Sequence, residues 1–175
     1  VGFTDYLGVT SLSAYTVGSG EVFNIYQRIE GFNVADLGWG TANAKTVTLS
    51  FWVRSSLTGT FGGALSNSAV DRSYPFTYTV NAANTWEQKT VTIIGDSTGT
   101  WLTDNGIGVR VRFSLGAGST ASSAFPNAWN TGAFTTTTGA VSVVGTSGAT
   151  FYITGVQLEA GSVATPFERR PFGTE

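Results

Sequence analysis

The stretch Val47-Thr-Leu-Ser-Phe-Trp-Val-Arg54 alternates apolar and polar side chains, and this alternation decides the fold class. Successive side chains of a β-strand point to opposite faces, so one face is apolar and Trp52 and Arg54 lie on the other. The apolar face consists of Val47, Leu49, Phe51 and Val53. The stretch therefore predicts a strand with one side in a hydrophobic core and the other directed outward.

The same alternation recurs along the chain, and no long helical period competes with it. Similar runs cover residues 23–29, 74–80, 90–94, 107–115 and 151–153. In two of them the alternation places charged residues on one face: Arg110 with Arg112, and Arg28 with Tyr26 and Glu30. Clusters rich in Gly, Asn and Asp separate them, as turns require. Only Asn33-Val-Ala-Asp-Leu37 resembles a helical turn. The pattern predicts one domain, residues 1–175, folded as an all-β sandwich of two antiparallel sheets.

The composition removes several classes of function. The chain has no Cys and no His, so thiol chemistry, zinc thiolate sites and histidine-based catalysis are excluded. Nine Lys and Arg against eleven Asp and Glu give a net charge of −2, which argues against nucleic acid as a partner. No apolar run approaches the ~18 residues of a membrane span, so no membrane insertion is expected. The chain starts at Val1 and lacks Met, which suggests a piece of a longer protein.

One stretch is unusual because it carries no charge. From Phe113 through Leu158 there is no Asp, Glu, Lys or Arg, and charged residues make up only 11% of the whole chain, against roughly 25% on average. One interpretation is a set of Thr-, Ser- and Gly-rich strands with neutral turns. The other is that this surface is shielded, either by sister chains or by a sugar ligand, since interface cores are depleted of charge.

Several blocks of the chain carry a family resemblance. They are Gln27-Arg-Ile-Glu30, Leu49-Ser-Phe-Trp-Val53, Asp71-Arg-Ser-Tyr74, Asn84-Thr-Trp-Glu87, Gly99-Thr-Trp-Leu-Thr-Asp-Asn-Gly106, the loop around Trp129 and the segment from Phe151 to Arg169. In order and spacing they resemble the carbohydrate-binding jelly-roll module at the C-terminal end of bacteriophage tail-fibre and other virion proteins. The departure is at the front, where Asp5-Tyr6 only partly matches the turn of such modules.

The resemblance implies a galactose-binding-like jelly roll without catalytic residues, placed at the C-terminal end of a longer virion protein and assembled as a homotrimer. It implies a location on the extracellular particle surface. The expected partners are a host-surface or extracellular glycan and other segments of the virion. The function expected is therefore non-catalytic glycan binding in host attachment. The alternative is a structural virion domain that decorates or locks a fibre or capsid and binds no sugar.

Sugar recognition needs flat aromatic faces and fixed hydrogen-bonding groups. Trp129, with Asn127 and Asn130 beside it in the uncharged stretch, is the preferred stacking residue. As a surface platform, it should be removable without loss of stability. The outward pair Trp52 and Arg54 is a second candidate, unless a loop, the terminal arm or a neighbouring subunit covers it.

The remaining candidates have competing structural explanations. Trp101 follows a turn that the resembling family shares, so it either binds ligand or closes the fold, and Trp86 is interpreted as a core residue. Four charged residues are expected to pair across strands rather than form a site: Arg28, Glu30, Arg54 and Glu159.

Neither a metal nor catalysis is predicted. Modules of the resembling family often hold a structural Ca²⁺ through an acidic residue of the last strand. Here Thr154-Gly155 stands at that position, so calcium is considered but not favoured, and no cofactor is expected. A glycan-cleaving enzyme would need two free carboxylates in one cleft, and Glu30 with Glu159 is the only pair that the pattern suggests.

Overall fold

The apolar face of the quoted stretch is fully buried, and the rest of the chain is arranged around it. The computed structural model describes residues 2–168, so Arg169 of the resembling C-terminal segment lies outside the described part. The strands are β1 Leu7–Thr10, β2 Val22–Glu30, β3 Val47–Ser55, β4 Gly59–Ser66, β5 Arg72–Val80, β6 Glu87–Ile93, β7 Ile107–Ala117, β8 Ser122–Ser123, β9 Asn130–Thr131, β10 Thr136–Thr137 and β11 Thr150–Ala160.

These strands form two main antiparallel sheets. The four-stranded sheet has the order β1-β11-β3-β6, and the five-stranded sheet has the order β2-β7-β4-β5-β9. A short parallel pair, β8 with β10, forms a separate two-stranded sheet. The prediction of an all-β jelly-roll sandwich of two antiparallel sheets is confirmed.

The core lies between the two sheets and is rich in aromatic rings. Phe51 of β3 packs against Phe113 of β7 and Tyr78 of β5, with ring centroids 4.9 and 5.0 Å apart. The alternation predicted for residues 74–80 and 107–115 is confirmed, because their apolar members are buried here. Such edge-to-face packing adds to the free energy gained by removing the rings from water.

Helical structure is limited to short turns. The helical turn expected at residues 33–37 is part of a 3-10 helix, Gly31–Leu37, which ends at Gly38 in the left-handed conformation with φ 61°. A second 3-10 turn covers Ser119–Ala121. Neither of these two helical segments in residues 2–168 has the length or apolarity to cross a membrane.

The segment that contains β10 covers only the half of the outer face formed by β4 and β5 in the five-stranded sheet. β10 packs over β4 and β5, and Thr136 approaches Gly62 so closely that any side chain there would collide with its hydroxyl. Within residues 2–168, no such segment covers Tyr26 and Arg28 of β2, which are exposed. The result is a step on this face of the sheet, with an open floor beside a raised wall.

We expect Phe51→Ala to lower the free energy of unfolding by about 3–5 kcal/mol, because it opens a cavity at a fully buried site between the sheets. Urea denaturation of the purified chain measures this loss. The control is Thr79→Ala on the exposed side of β5, which should change stability by no more than about 0.5 kcal/mol. Equal losses in the two variants would contradict the position of the core.

Candidate functional site

A cleft of about 520 Å³ lies on the open half of the five-stranded sheet. We call it the arginine cleft. Its floor is formed by β2 and β7, and the segment after β7 forms its wall. It is lined by Gly20, Val22, Asn24, Tyr26, Arg28, Val70, Arg110, Arg112, Thr120, Ala121, Ala133 and Thr135. The size falls within the range of ligand sites, and polar groups converge on the floor.

The register of β2 and β7 brings three guanidinium groups together on this floor. Arg28 lies directly opposite Arg110, and Tyr26 lies directly opposite Arg112. Arg110 and Arg112 are two residues apart on one strand and therefore share its outer face. Like charges directly opposite each other on a sheet repel, so this arrangement costs stability in the free protein.

Arg112 is the most deeply placed of the three. Its residue is only 9% exposed, and its Nη1 atom is buried without a hydrogen-bond partner. Burial, together with the neighbouring charge of Arg110, lowers the pKa of Arg112. Arg112 also has no ion-pair partner among residues 2–168. The ion pairs found there are Lys45–Asp36, Arg72–Asp96 and Lys89–Glu87.

The other two guanidinium groups are held in place by neutral partners. Arg110 Nη1 donates to the carbonyl oxygens of Asn67 and Ser68, at 3.2 and 2.7 Å. Arg28 Nη2 donates to the hydroxyl of Tyr26 at 3.2 Å, and its guanidinium carbon lies 5.3 Å from the centroid of that ring. The positions of both arginines are therefore restricted by partners that carry no opposite charge.

The wall of the arginine cleft comes from the uncharged stretch. Thr135 N donates to Ala121 O at 2.9 Å, a hydrogen bond between two parts of the wall. Thr120 Oγ1 donates to Ser19 O at 2.7 Å, which connects the wall to the turn before β2. Its lining side chains are small or carry hydroxyls. A neutral wall thus stands beside a positively charged floor.

Trp129 does not lie in this cleft. Its ring packs edge-on against Trp39, Trp101 and Tyr74, with centroids 5.4, 5.2 and 5.2 Å away, and its Nε1 donates to Ile94 O at 2.7 Å. Trp101 packs against Trp39 at 4.7 Å. The three indoles close one end of the sandwich, so Trp129 is partly buried rather than a free platform.

The two asparagines beside Trp129 serve the same loop. Asn130 Nδ2 donates to Phe125 O and Ala128 O, and its Oδ1 accepts from Ser123 Oγ. Asn127 is exposed and has φ 59°, a left-handed conformation that Asn adopts more readily than most residues. The amide of Asn130 is therefore already used to shape the loop.

Trp52 and Arg54 lie on the outer face of the four-stranded sheet, on the opposite side of the sandwich from the arginine cleft. Arg54 Nε donates to Asn84 O at 2.8 Å, and its guanidinium carbon lies 5.3 Å from the centroid of Tyr152. Trp52 is partly buried. The structure therefore brings Trp101, Asn127, Trp129 and Asn130 together at one end and leaves this pair elsewhere.

Two structural predictions about other residues were wrong. Trp86 is not a core residue, because it lies partly exposed beside Tyr6 and Tyr152, with centroids 5.9 and 6.5 Å away. The expected charge ladder is also absent, because Arg28 belongs to one sheet whereas Arg54 and Glu159 belong to the other.

The sequence contains a signal for the arginine cleft in the outward faces of two predicted strands. Arg110 and Arg112 stood on one predicted outer face, and Tyr26 and Arg28 stood on another. Glu30 lies two residues after Arg28, whereas the run of residues 107–115 contains no carboxylate. The pairing of β2 with β7, which joins the two faces, was not readable from either run.

A second cavity of about 420 Å³ opens between the edges of the two sheets. Its lining is mostly apolar and includes Leu7, Ile25, Ile29, Val111, Phe113, Ile153, Val156 and Leu158. It brings together no charged groups that could orient a polar ligand. The arginine cleft is therefore the better candidate for recognition.

The possible charged metal ligands of this chain are its Asp and Glu side chains, since it has no Cys or His. Residues 2–168 contain no group of three or more Asp or Glu side chains placed to hold an ion. Asp96 accepts from Arg72, and Asp104 Oδ1 accepts from Gly106 N within its own turn. Calcium binding stays an unfavoured prediction.

No protein-family model matches this chain, and no curated protein matches it. Among solved structures, it is similar to one described as "CBM4 structure and function", at 15% identity and a TM-score of 0.48, over 91% of this chain and 73% of the other. It is also similar to the N-terminal cellulose-binding domain of a Cellulomonas fimi β-1,4-glucanase, at 15% identity and a TM-score of 0.36, over 93% and 82%. The architecture of this chain is given by its own strand order and register.

Trp129 was expected to be replaceable without loss of stability, but its ring packs against three other aromatic rings. We expect Trp129→Ala to lower the free energy of unfolding by roughly 2–4 kcal/mol, less than for a fully buried ring, because it opens the indole cluster and leaves Ile94 O unpaired. Thermal and urea denaturation measure the effect. Phe125→Ala, an exposed aromatic residue of the same loop, is the control. An unchanged melting temperature for Trp129→Ala would contradict a structural role.

Asp96 should make stability depend on pH. It is buried, which opposes ionisation, but hydrogen bonds from Arg72 and Thr98 outweigh this and lower its pKa. Because the pKa is lower in the folded than in the unfolded chain, the stabilisation is present above about pH 5 and is lost as the pH falls through the folded value. Between about pH 6 and pH 3, the wild type should lose more free energy of unfolding than Asp96→Asn, as measured by urea denaturation. Equal losses would contradict the role of the Arg72 pair.

Proposed function

We propose that this chain is a non-catalytic carbohydrate-binding module and that the arginine cleft is its saccharide site. The observation that carries the proposal is the open cleft on one sheet face, where guanidinium, amide and hydroxyl groups lie among apolar surface, with its floor on β2 and β7 and its wall on a hydrogen-bonded segment. Sites on strands hold their side chains more precisely than sites on loops do.

The lining of the cleft suits a polyhydroxylated ligand. Asn24 provides an amide, and the hydroxyls of Thr120 and Thr135, which donate to backbone carbonyls, can still accept hydrogen bonds from sugar hydroxyls. Tyr26 is 50% exposed at the floor and offers an aromatic ring that can contact the apolar face of a pyranose. The open shape admits a chain of sugars rather than enclosing a small molecule.

The cleft supports binding rather than hydrolysis. Cleavage of a glycosidic bond needs two carboxyl groups about 5–10 Å apart across the bond. None of the described residues that line the cleft is Asp or Glu. Glu30 and Glu159, the pair suggested by the sequence, lie on different sheets.

The wider role is proposed from the sequence resemblance. A virion module would carry this cleft on the particle surface, bind a host-surface or extracellular glycan, contact other virion segments and assemble as a homotrimer. The uncharged stretch, which continues beyond the cleft wall, supports close contact with neighbouring chains. Sedimentation equilibrium of the purified chain tests the trimer directly.

A structural virion domain that binds no sugar is the second candidate. It is favoured by exposed apolar residues at and before β1, where Tyr6 and Leu7 are 62% and 54% exposed. Such residues, next to Trp86 and Tyr152, could pack against another protein segment. On this account the arginine cleft would have no saccharide ligand.

The experiment is a glycan array that includes host-envelope polysaccharides, probed with the wild type and two matched variants. Ala133→Trp places a large ring in the cleft, whereas Ala124→Trp places the same ring on an exposed part of the loop outside it. We expect Ala133→Trp to weaken binding by roughly tenfold or more and Ala124→Trp to leave it unchanged.

Two other results would decide against the proposal. If Trp52→Ala abolishes glycan binding while Ala133→Trp does not, the sugar binds to the outer face of the four-stranded sheet. If the folded chain in its native oligomer binds no glycan, the structural virion role is favoured instead.

A further inference from the structure

The floor of the arginine cleft holds more positive charge than the surrounding structure neutralises. Arg28, Arg110 and Arg112 meet there, and none takes part in the ion pairs found within residues 2–168. The described lining contains no Asp or Glu. An uncompensated cluster of three cations in a chain with a net charge of −2 is a specific local arrangement, not a reflection of overall charge.

Arg112 shows most directly that a partner is missing. Buried guanidinium groups normally pair with carboxylates or carbonyl oxygens, because an unpaired buried donor costs free energy. Arg112 is more than nine-tenths buried, lines the cleft and leaves Nη1 without an acceptor. Nη1 itself is closed off from solvent, so an oxyanion in the cleft would bind the guanidinium through its other nitrogens, for which no hydrogen bond is found within residues 2–168.

We propose that the saccharide bound in the arginine cleft is acidic and that its oxyanion group, a carboxylate or a sulfate, binds to Arg112, flanked by Arg28 and Arg110. This inference rests on the proposed function, that the cleft binds a saccharide. The planar guanidinium fork matches the two oxygens of such a group and can bind both at once.

The surroundings favour one acidic group on a mostly neutral ligand rather than a polyphosphate chain. The wall beside the arginines contributes Thr120, Ala121, Ala133 and Thr135, and the described lining holds no further cation to follow a charged backbone. Elsewhere, Lys89 and Arg72 are paired with acidic residues, and Arg54 lies on the other sheet. Nucleic acids are gripped by extended rows of positive charge, which these strands do not provide.

The test compares matched neutral and acidic glycans against the wild type. The probes are oligogalacturonate and its methyl ester for the carboxylate, and dextran sulfate and dextran for the sulfate, alongside the carboxylated, sulfated and neutral members of a glycan array. We expect the bound glycans to be acidic, and esterification of the carboxylate to weaken binding by roughly 30-fold or more. Raising NaCl from about 0.05 to 0.5 M should also weaken binding, since exposed charges are screened.

Substitutions locate the acidic group. Arg112→Gln should reduce binding of the acidic glycan by roughly 30-fold or more, and Arg28→Gln, at an exposed position, should reduce it less. Arg112→Lys, which keeps the charge but loses the fork, should bind more weakly than the wild type. Lys45→Gln, which also removes one positive charge but at an exposed position outside the cleft, is the control and should bind as the wild type does.

Melting temperatures separate a ligand-binding role from a structural one. If Arg112 is held ready for an anion, Arg112→Gln removes repulsion from Arg110 and should keep or raise the melting temperature by about 2–4 °C. If Arg112 instead stabilises the fold, the same variant should melt lower, which would overturn the inference even if binding is lost.

The remaining outcomes are distinct. Binding of neutral glycans alone, unaffected by Arg112→Gln, would overturn the acidic ligand while leaving the saccharide site intact. Binding of no glycan would remove the proposed function and this inference together. Tighter binding of single-stranded nucleic acid than of any glycan would assign the arginines to phosphate.

Discussion

The contact between β3 and the five-stranded sheet is the one on which the rest of the structure depends. Phe51 packs against Phe113 and Tyr78 across the sandwich, and all three rings are buried. Burying one side of each strand fixes the register, because a slip of one residue would turn every side chain to the opposite face. The outward positions, which carry the candidate chemistry, are therefore set by the core.

The arginine cleft is a consequence of that register. Burial of Val109, Val111 and Phe113 directs Arg110 and Arg112 outward, and the pairing with β2 adds Arg28 and Tyr26. The segment after β7 then crosses the sheet and covers its other half. The uncovered half of the sheet is the one that carries the three arginines. Their unbalanced charge can persist because the core of the sandwich supplies the stability.

At the end of the sandwich closed by the three indoles, polar and aromatic groups are paired with one another, unlike the groups of the arginine cleft. Trp39, Trp101 and Trp129 pack on one another, and nearby Arg72 and Asp96 form a hydrogen-bonded pair with Asp96 buried. Each polar group there has a partner, as expected where the purpose is stability. Arg112 differs in that its Nη1 has none, and it differs from the hydroxyls of Ser66, Tyr78 and Thr136, which are also buried without a partner, in that it carries a charge and lines a cleft.

Periodicity alone was enough to predict six of the longer strands, the antiparallel sandwich and the outward direction of Arg110 and Arg112, because side-chain direction in a strand is a local property. It missed β1 and the glycine-rich β4, which lies in the middle of the five-stranded sheet. It was not enough to predict the neighbours of an outward residue. Trp129 read as a free platform until the fold placed it against Trp39, and Trp86 read as core until the fold placed it beside Tyr6. Which faces meet, and which charges stay unpaired, depends on strands far apart in the chain, so only the tertiary structure decided them.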